Sequence, residues 1–171
     1  MGCDIHTVTE QLINGEWIPV DFGKTVEEYG SWKREIFEGR NYGKFGFLAD
    51  VRNYSHVPAQ WPNRGWPDNA SQEARDMWEK VYDWCGHSQT YVTLKELLAF
   101  DYDATFEDRR TTVTTIFPGG GSFTDGAAEA EPGKGKIVTF REFLGTAFFD
   151  DIETLVKLEN DDVRVLICFN N

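Results

Sequence analysis

Apolar and polar residues roughly alternate over residues 3–12, with Cys3, Ile5 and Thr7 on one side and Asp4, His6 and Val8 on the other. A two-residue period predicts a strand that carries Asp4 and His6 on one face while Cys3 and Ile5 point the opposite way. Asn14-Gly15 supplies the turn chemistry of a tight hairpin, so residues 17–20 are expected to return as its partner. Near the other end, Val163, Val165, Leu166, Ile167, Cys168 and Phe169 form a run that is apolar except for Arg164. Such a run belongs inside a sheet, and the expected neighbour is the N-terminal strand, which brings the chain ends close together.

Between these strands the period lengthens. Tyr42, Phe45, Phe47, Leu48 and Val51 fall at mostly helical intervals and predict a short helix over residues 41–51, despite Gly43 and Gly46. Residues 53–69 hold Pro58, Pro62, Pro67 and Gly65, a composition for an irregular but ordered loop anchored by Trp61 and Trp66. Ala74, Met77, Trp78, Val81 and Trp84 or Cys85 make the stripe of a helix over 71–85, with Gly86 as its stop. Thr93 with Glu96, and Thr139 with Glu142, are capping-box signals for a helix through Phe100 and for one or two helices up to residue 159, interrupted near Gly145. Residues 110–117, rich in Thr, Val and Ile, read as a strand or extended arm, and 119–135 as a mobile surface loop. The expected fold is α+β: a small, mainly antiparallel sheet, made from the N-terminal hairpin and the C-terminal strand, packed with several helices in a single domain spanning 1–171.

Composition narrows the function. With 29 acidic against 17 basic residues the formal net charge is −12, which removes sequence-independent attraction to nucleic acid from the expected partners. Cys3, Cys85 and Cys168 are far apart and include no C-x-x-C pair, so neither a disulfide framework nor a thiolate zinc site is indicated. No run approaches the ~20 apolar residues needed to cross a bilayer, and the first ten residues lack the features of a secretion signal. The expected setting is therefore a reducing cytoplasm, with no membrane partner. Gly119-Gly120-Gly121-Ser122 lacks the lysine of a phosphate-binding loop. No motif calls for a cofactor or a resident metal, and homo-oligomerisation is left open.

Several blocks carry a resemblance. The opening Met1-Gly2-Cys3-Asp4-Ile5-His6 is followed by Gly39-Arg40-Asn41-Tyr42, Leu48-Ala49-Asp50-Val51-Arg52-Asn53, Arg64-Gly65, Pro67, Gly86-His87-Ser88 and Thr93-Leu94-Lys95-Glu96-Leu97. With the closing Val163-Arg164-Val165 and Phe169-Asn170-Asn171, the chain resembles an uncharacterised family of bacteriophage and bacterial proteins that begin with MGCDIH. It departs from that pattern at Asn63, Tyr91 and Asn170. The resemblance implies a phage protein acting in the host bacterial cell and brings no activity that transfers residue by residue.

Three sets of residues could carry chemistry. Asp4 and His6, two apart on one strand face, could jointly hold a water or a metal, with His87 joining them; alternatively they satisfy buried backbone groups. Arg40, Arg52 and Arg64 flank the short helix and the Pro/Trp loop, and could form an anion pocket beside Asn41, Tyr42, Trp61 and Trp66, or could pair with Asp50, Asp68 and other acids. His87 and Ser88 follow the predicted helix end, where side chains can face a cleft. A Ser-His nucleophile there is not supported, because adjacent residues rarely align as nucleophile and base and no G-x-S-x-G elbow is present. His56 reads as solvent-facing or packing.

The leading expectation is a phage-type protein that binds, and by binding sequesters, a small phosphorylated or nucleotide-derived molecule, as an inhibitor of host immune signalling. It is expected not to turn the ligand over. The alternatives are a metal-assisted phosphoester hydrolase using Asp4, His6 and His87, and an acidic inhibitor that binds a host protein, for instance by imitating DNA.

Overall fold

A computed structural model describes residues 2–27 and 30–171; the side chains of residues 25–32 lie outside the description. The chain sorts into two compact units. The first comprises Met1–Arg40, Trp61–Phe100 and Thr146–Asn171, and the second Asn41–Gln60 and Asp101–Gly145.

The first unit is organised by a four-stranded antiparallel sheet. β1 (Asp4–Ile13) turns through Asn14 and Gly15, both at positive φ, into β2 (Glu16–Pro19), as the Asn-Gly pair predicts. A further pair, β3 (Lys24–Glu27) and β4 (Gly30–Lys33), precedes the helices. The remaining elements of the unit are α2 (Gln72–Tyr82), β5 (Gly86–Thr93), α3 (Leu94–Ala99), α5 (Thr146–Val156) and β10 (Val163–Asn170). The strand order is β2-β1-β10-β5. β10 lies between β1 and β5, and every residue from Val163 to Phe169 is buried, as expected of a strand covered on both faces. Asp4 stands opposite Asn170, so the two ends of the described chain meet.

The one charge in that apolar run is compensated. Arg164 stands opposite Glu10, both almost fully buried, and donates Nε–H to Glu10 Oε2 at 2.7 Å. Its other nitrogens donate to the side chain and carbonyl of Asn69, and its guanidinium lies 3.9 Å from the centre of the Trp17 ring. The second Glu10 oxygen accepts the backbone N–H of Ser71, whose hydroxyl in turn caps α2. A single buried carboxylate thereby ties two strands to the start of a helix. The α2 face of the sheet is completed by Val8 and Leu166 against Ala70 and Ala74, with Met77, Trp66 and Tyr91 at the margin. Trp66 also donates its indole N–H to the Ile167 carbonyl at 2.9 Å, which accounts for its anchoring of the Pro/Trp loop.

In the second unit α1 (Tyr42–Ala49) is capped by the Asn41 side chain, which accepts the Lys44 N–H, and ends at Asp50 in a left-handed conformation. β6 (Thr105–Asp108) pairs with β9 (Lys136–Thr139), and β7 (Arg110–Ile116) pairs with β8 (Ser122–Glu129). α4 (Phe140–Leu144) follows β9. An aromatic cluster joins them: Phe140 lies 5.7 Å from Phe47 and 4.8 Å from Phe106, whose ring meets Phe143 edge-on at 4.9 Å. Burying each ring contributes roughly 1.5–3 kcal/mol.

Both capping boxes form, at Thr93 with Glu96 and at Thr139 with Glu142, and Gly145 at positive φ separates α4 from α5 where the interruption was expected. Three local expectations are corrected. Residues 119–135 contain a strand, Ser122–Glu129, because β8 finds in β7 a partner that its own small residues do not advertise. Gly86 opens β5 instead of closing α2; Cys85 takes the left-handed turn, and a Cβ on Gly86 would lie 2.8 Å from the backbone of Val81 and Tyr82. Trp84 and Cys85 therefore fall beyond the helix, outside its buried stripe. Among the described residues no helix is long and apolar enough to cross a membrane.

Candidate functional site

The residues singled out by sequence divide between the two units. In the first, strand register gathers Asp4, His6 and Asn170 at one end of the sheet. Asp4 is opposite Asn170 and His6 is opposite Cys168. His6 Nε2 lies 3.0 Å from Asn170 Oδ1, a contact in which the ring nitrogen must donate, since the amide oxygen can only accept. Arg40 grips Asp4 with two hydrogen bonds of 2.9 and 2.8 Å, and its guanidinium lies close over Gly2, 2.5 Å from where a Cβ would fall.

Two further ionisable groups lie near His6. Glu35 accepts the Thr7 backbone N–H at 2.9 Å, and burial pushes its carboxyl above the usual range, partly opposed by that hydrogen bond and by the charge of His6. Burial, reinforced by the Glu35 charge, pushes the Cys168 thiol up to about 12, which leaves it protonated and poorly nucleophilic.

His87 does not join this group. It stands opposite Phe169, whose own partner is Ile5, so the two-residue period puts it on the face away from His6. There its ring stacks on Phe169 at 6.1 Å, and Nδ1 contacts the Ser88 hydroxyl at 2.9 Å while Nε2 is buried without a partner. Ser88, at positive φ, sits where the β10–β5 register shifts. Asp4, His6 and His87 are thus split by the sheet itself, and among the described residues no group of three or more His, Cys, Asp or Glu is placed to hold a metal ion.

Two of the three arginines are occupied by acids. Arg40 is held by Asp4, and Arg64 by Glu96, at 2.8 Å, with Tyr91 under its guanidinium at 5.4 Å. Burial raises the Glu96 carboxyl, but the Arg64 and Thr93 hydrogen bonds outweigh it and hold the group below the usual range. Arg52 belongs to the second unit, where it lies 3.5 Å from the Tyr54 hydroxyl. Tyr42 packs against the same Tyr54 at 6.0 Å.

Asn41, Tyr42 and Arg52 thereby share a neighbourhood with residues that sequence reasoning passed over. A groove of about 360 Å3 is lined by Asn41, Ser55, Asp108, Arg110, Lys136 and Phe143, among others. A second, of about 340 Å3, adds Thr111, Lys134 and Gly135 and shares Asp108, Arg110 and Lys136 with the first. The two depressions adjoin at these shared residues. Arg110 lies 6.0 Å above the Tyr54 ring and donates Nε–H to the Gly126 carbonyl.

Arg110, Lys134 and Lys136 bring three cations to these depressions. Among the described residues, Lys33, Arg34, Arg40, Arg64, Lys95, Arg141 and Arg164 each reach a carboxylate, whereas Arg110, Lys134 and Lys136, like Lys24, Arg75, Lys80, Arg109 and Lys157, are in no such ion pair. The acids in the lining also accept hydrogen bonds from nearby residues. Asp108 accepts the Arg110 N–H at 3.0 Å, and Glu142 accepts from the Thr139 N–H and hydroxyl, which hold its carboxyl below the usual range, and the Lys136 charge adds to that lowering. His56, exposed as expected, contacts Glu129 at 2.6 Å.

The signal for this site was Arg109-Arg110 together with Lys134 and Lys136 either side of a glycine. It was obscured because the intervening segment did not read as a strand. No family model, curated protein or solved structure matches the chain.

Proposed function

We propose that the protein binds a small phosphorylated, nucleotide-derived molecule in the groove of the second unit and holds it intact, as an inhibitor of host immune signalling would. The observation that carries this reading is the trio Arg110, Lys134 and Lys136, gathered at adjoining grooves and in no ion pair among the described residues of a chain of net charge −12. Each charge-assisted hydrogen bond from such a group to a phosphoryl oxygen is worth roughly 1.5–3 kcal/mol. Phe143 supplies aromatic surface for a base, and Asn41, Ser55 and Asp108 offer hydrogen bonds to a sugar. The phage setting rests on the MGCDIH resemblance alone.

Incubation with a panel of mono-, di- and cyclic nucleotides, followed by denaturation and mass spectrometry, tests both parts. Intact ligand recovered from the wild type and lost from an Arg110→Glu/Lys136→Glu variant is the expected result. Stoichiometric conversion of a ligand overturns sequestration, and no binding across the panel overturns the reading.

A further inference from the structure

A second depression, in the first unit, is built differently. It measures about 360 Å3 and is lined by His6, Met77, Lys80, Val81, Trp84 and Asn170, with no carboxylate in its wall. Trp84 is 74% exposed, an unusual place for the largest apolar side chain in the chain. Its position follows from the backbone: α2 ends at Tyr82, the Trp84 N–H is tied to the Val81 carbonyl at 3.0 Å, and Cys85 turns left-handed into β5. The indole is thus held on a short, hydrogen-bonded turn.

The polar groups around it are specific. Lys80, one turn back on α2, reaches no carboxylate among the described residues, although acids outnumber bases 29 to 17 in the sequence. In its neutral form His6 donates Nε2–H to Asn170 Oδ1 and keeps Nδ1 as an acceptor, beside the Asn170 amide N–H2 as a donor pair. An acceptor beside a donor matches the N–H and C=O edge of a heteroaromatic lactam or imide. Met77 and Val81 supply the apolar floor. The cavity is large enough for one ring with a substituent and is near the lower bound for small-molecule sites.

We infer that this cleft is a second ligand site, which takes a planar heteroaromatic molecule carrying an anionic substituent, with the ring stacked on Trp84, its imide edge on His6 and Asn170, and its anion on Lys80. The site is independent of the groove in the second unit and differs from it in chemistry, since ring recognition dominates here and phosphoryl recognition there.

Calorimetric titration with orotate tests the assignment, because that probe has the ring, the imide edge and the carboxylate. Uracil lacks the anion, benzoate lacks the imide edge and inorganic phosphate lacks the ring. Orotate is expected to bind at submillimolar concentration, and each of the other three at least tenfold more weakly. Trp84→Ala and Lys80→Glu, both at exposed positions, should each weaken orotate at least tenfold, while Arg110→Glu/Lys136→Glu should leave it unchanged. Absence of orotate binding at millimolar concentration, or equal affinity in the wild type, Trp84→Ala and Lys80→Glu, would overturn the inference whatever the nucleotide panel shows.

Discussion

Glu10 and Arg164 face each other across β1 and β10 and share a hydrogen bond of 2.7 Å with almost no access to water. Removing one partner strands the other charge in the core, which in comparable pairs costs about 3–5 kcal/mol. Glu10→Gln and Arg164→Met should each lower the unfolding free energy by that order in urea titrations. Glu10→Met/Arg164→Met should recover a large part of the loss, because apolar pairs replace buried ion pairs at little cost. A double variant no better than the singles would show that the Asn69 and Ser71 contacts outweigh the ion pair.

Glu35 gives stability an unusual pH dependence. Burial raises its folded-state value above the unfolded one, so over the window just above pH 4.5 the native state binds more protons than the unfolded chain. The contribution of Glu35 is therefore present at low pH and declines as pH rises through its folded value, opposite in sign to Glu107 and Glu142, whose backbone hydrogen bonds lower theirs. Glu35→Gln keeps an acceptor for the Thr7 N–H. Its stability relative to wild type should grow between pH 5 and 7, and a flat difference would exclude the burial effect.

Gly86 is required by space. A Cβ there meets backbone atoms of Val81 and Tyr82 at 2.8 Å, closer than real Cβ contacts allow. Gly86→Ala should destabilise by about 1–3 kcal/mol, of the order of an overpacked site, and the loss should register as a lower urea midpoint with unchanged slope. Gly126→Ala, where the Cβ meets open space, is the matched control.

The β7–β8 hairpin exposes Ile116 at 76% and Phe123 at 60%, and among the described residues neither strand pairs with a third. Exposed apolar edges of this kind favour association between chains. Ile116→Thr/Phe123→Thr should leave the thermal midpoint within about 2 °C of wild type, as expected for surface substitutions, while raising the concentration at which light scattering detects aggregates.

Much of this fold is legible in the pattern of residues. The Asn14-Gly15 turn, the apolar run ending at Phe169 and the two Thr-x-x-Glu boxes state their structures locally, and each forms as read. What escaped depends on partners that local composition does not show. β8 is a strand because β7 lies beside it; its glycines and alanines give no such signal. The candidate site shows the same division. Alternation placed Asp4 and His6 together correctly, but only the register across β10 shows that His87 occupies the opposite face. Likewise the pairing of Arg40 with Asp4 and Arg64 with Glu96 joins residues 36 and 32 apart, which no local spacing reveals.

The placement of β10 has a consequence for biosynthesis. β1, β2 and β5 leave the ribosome before it, yet the strand that joins β1 to β5 is made after all of them. Until residues 163–170 emerge, the nascent chain carries two strand edges and the unpaired Glu10 carboxylate with nothing to close over them. Completion of the sheet must then wait until residues 163–170 have emerged, and during that interval the growing polypeptide is a natural client for chaperones.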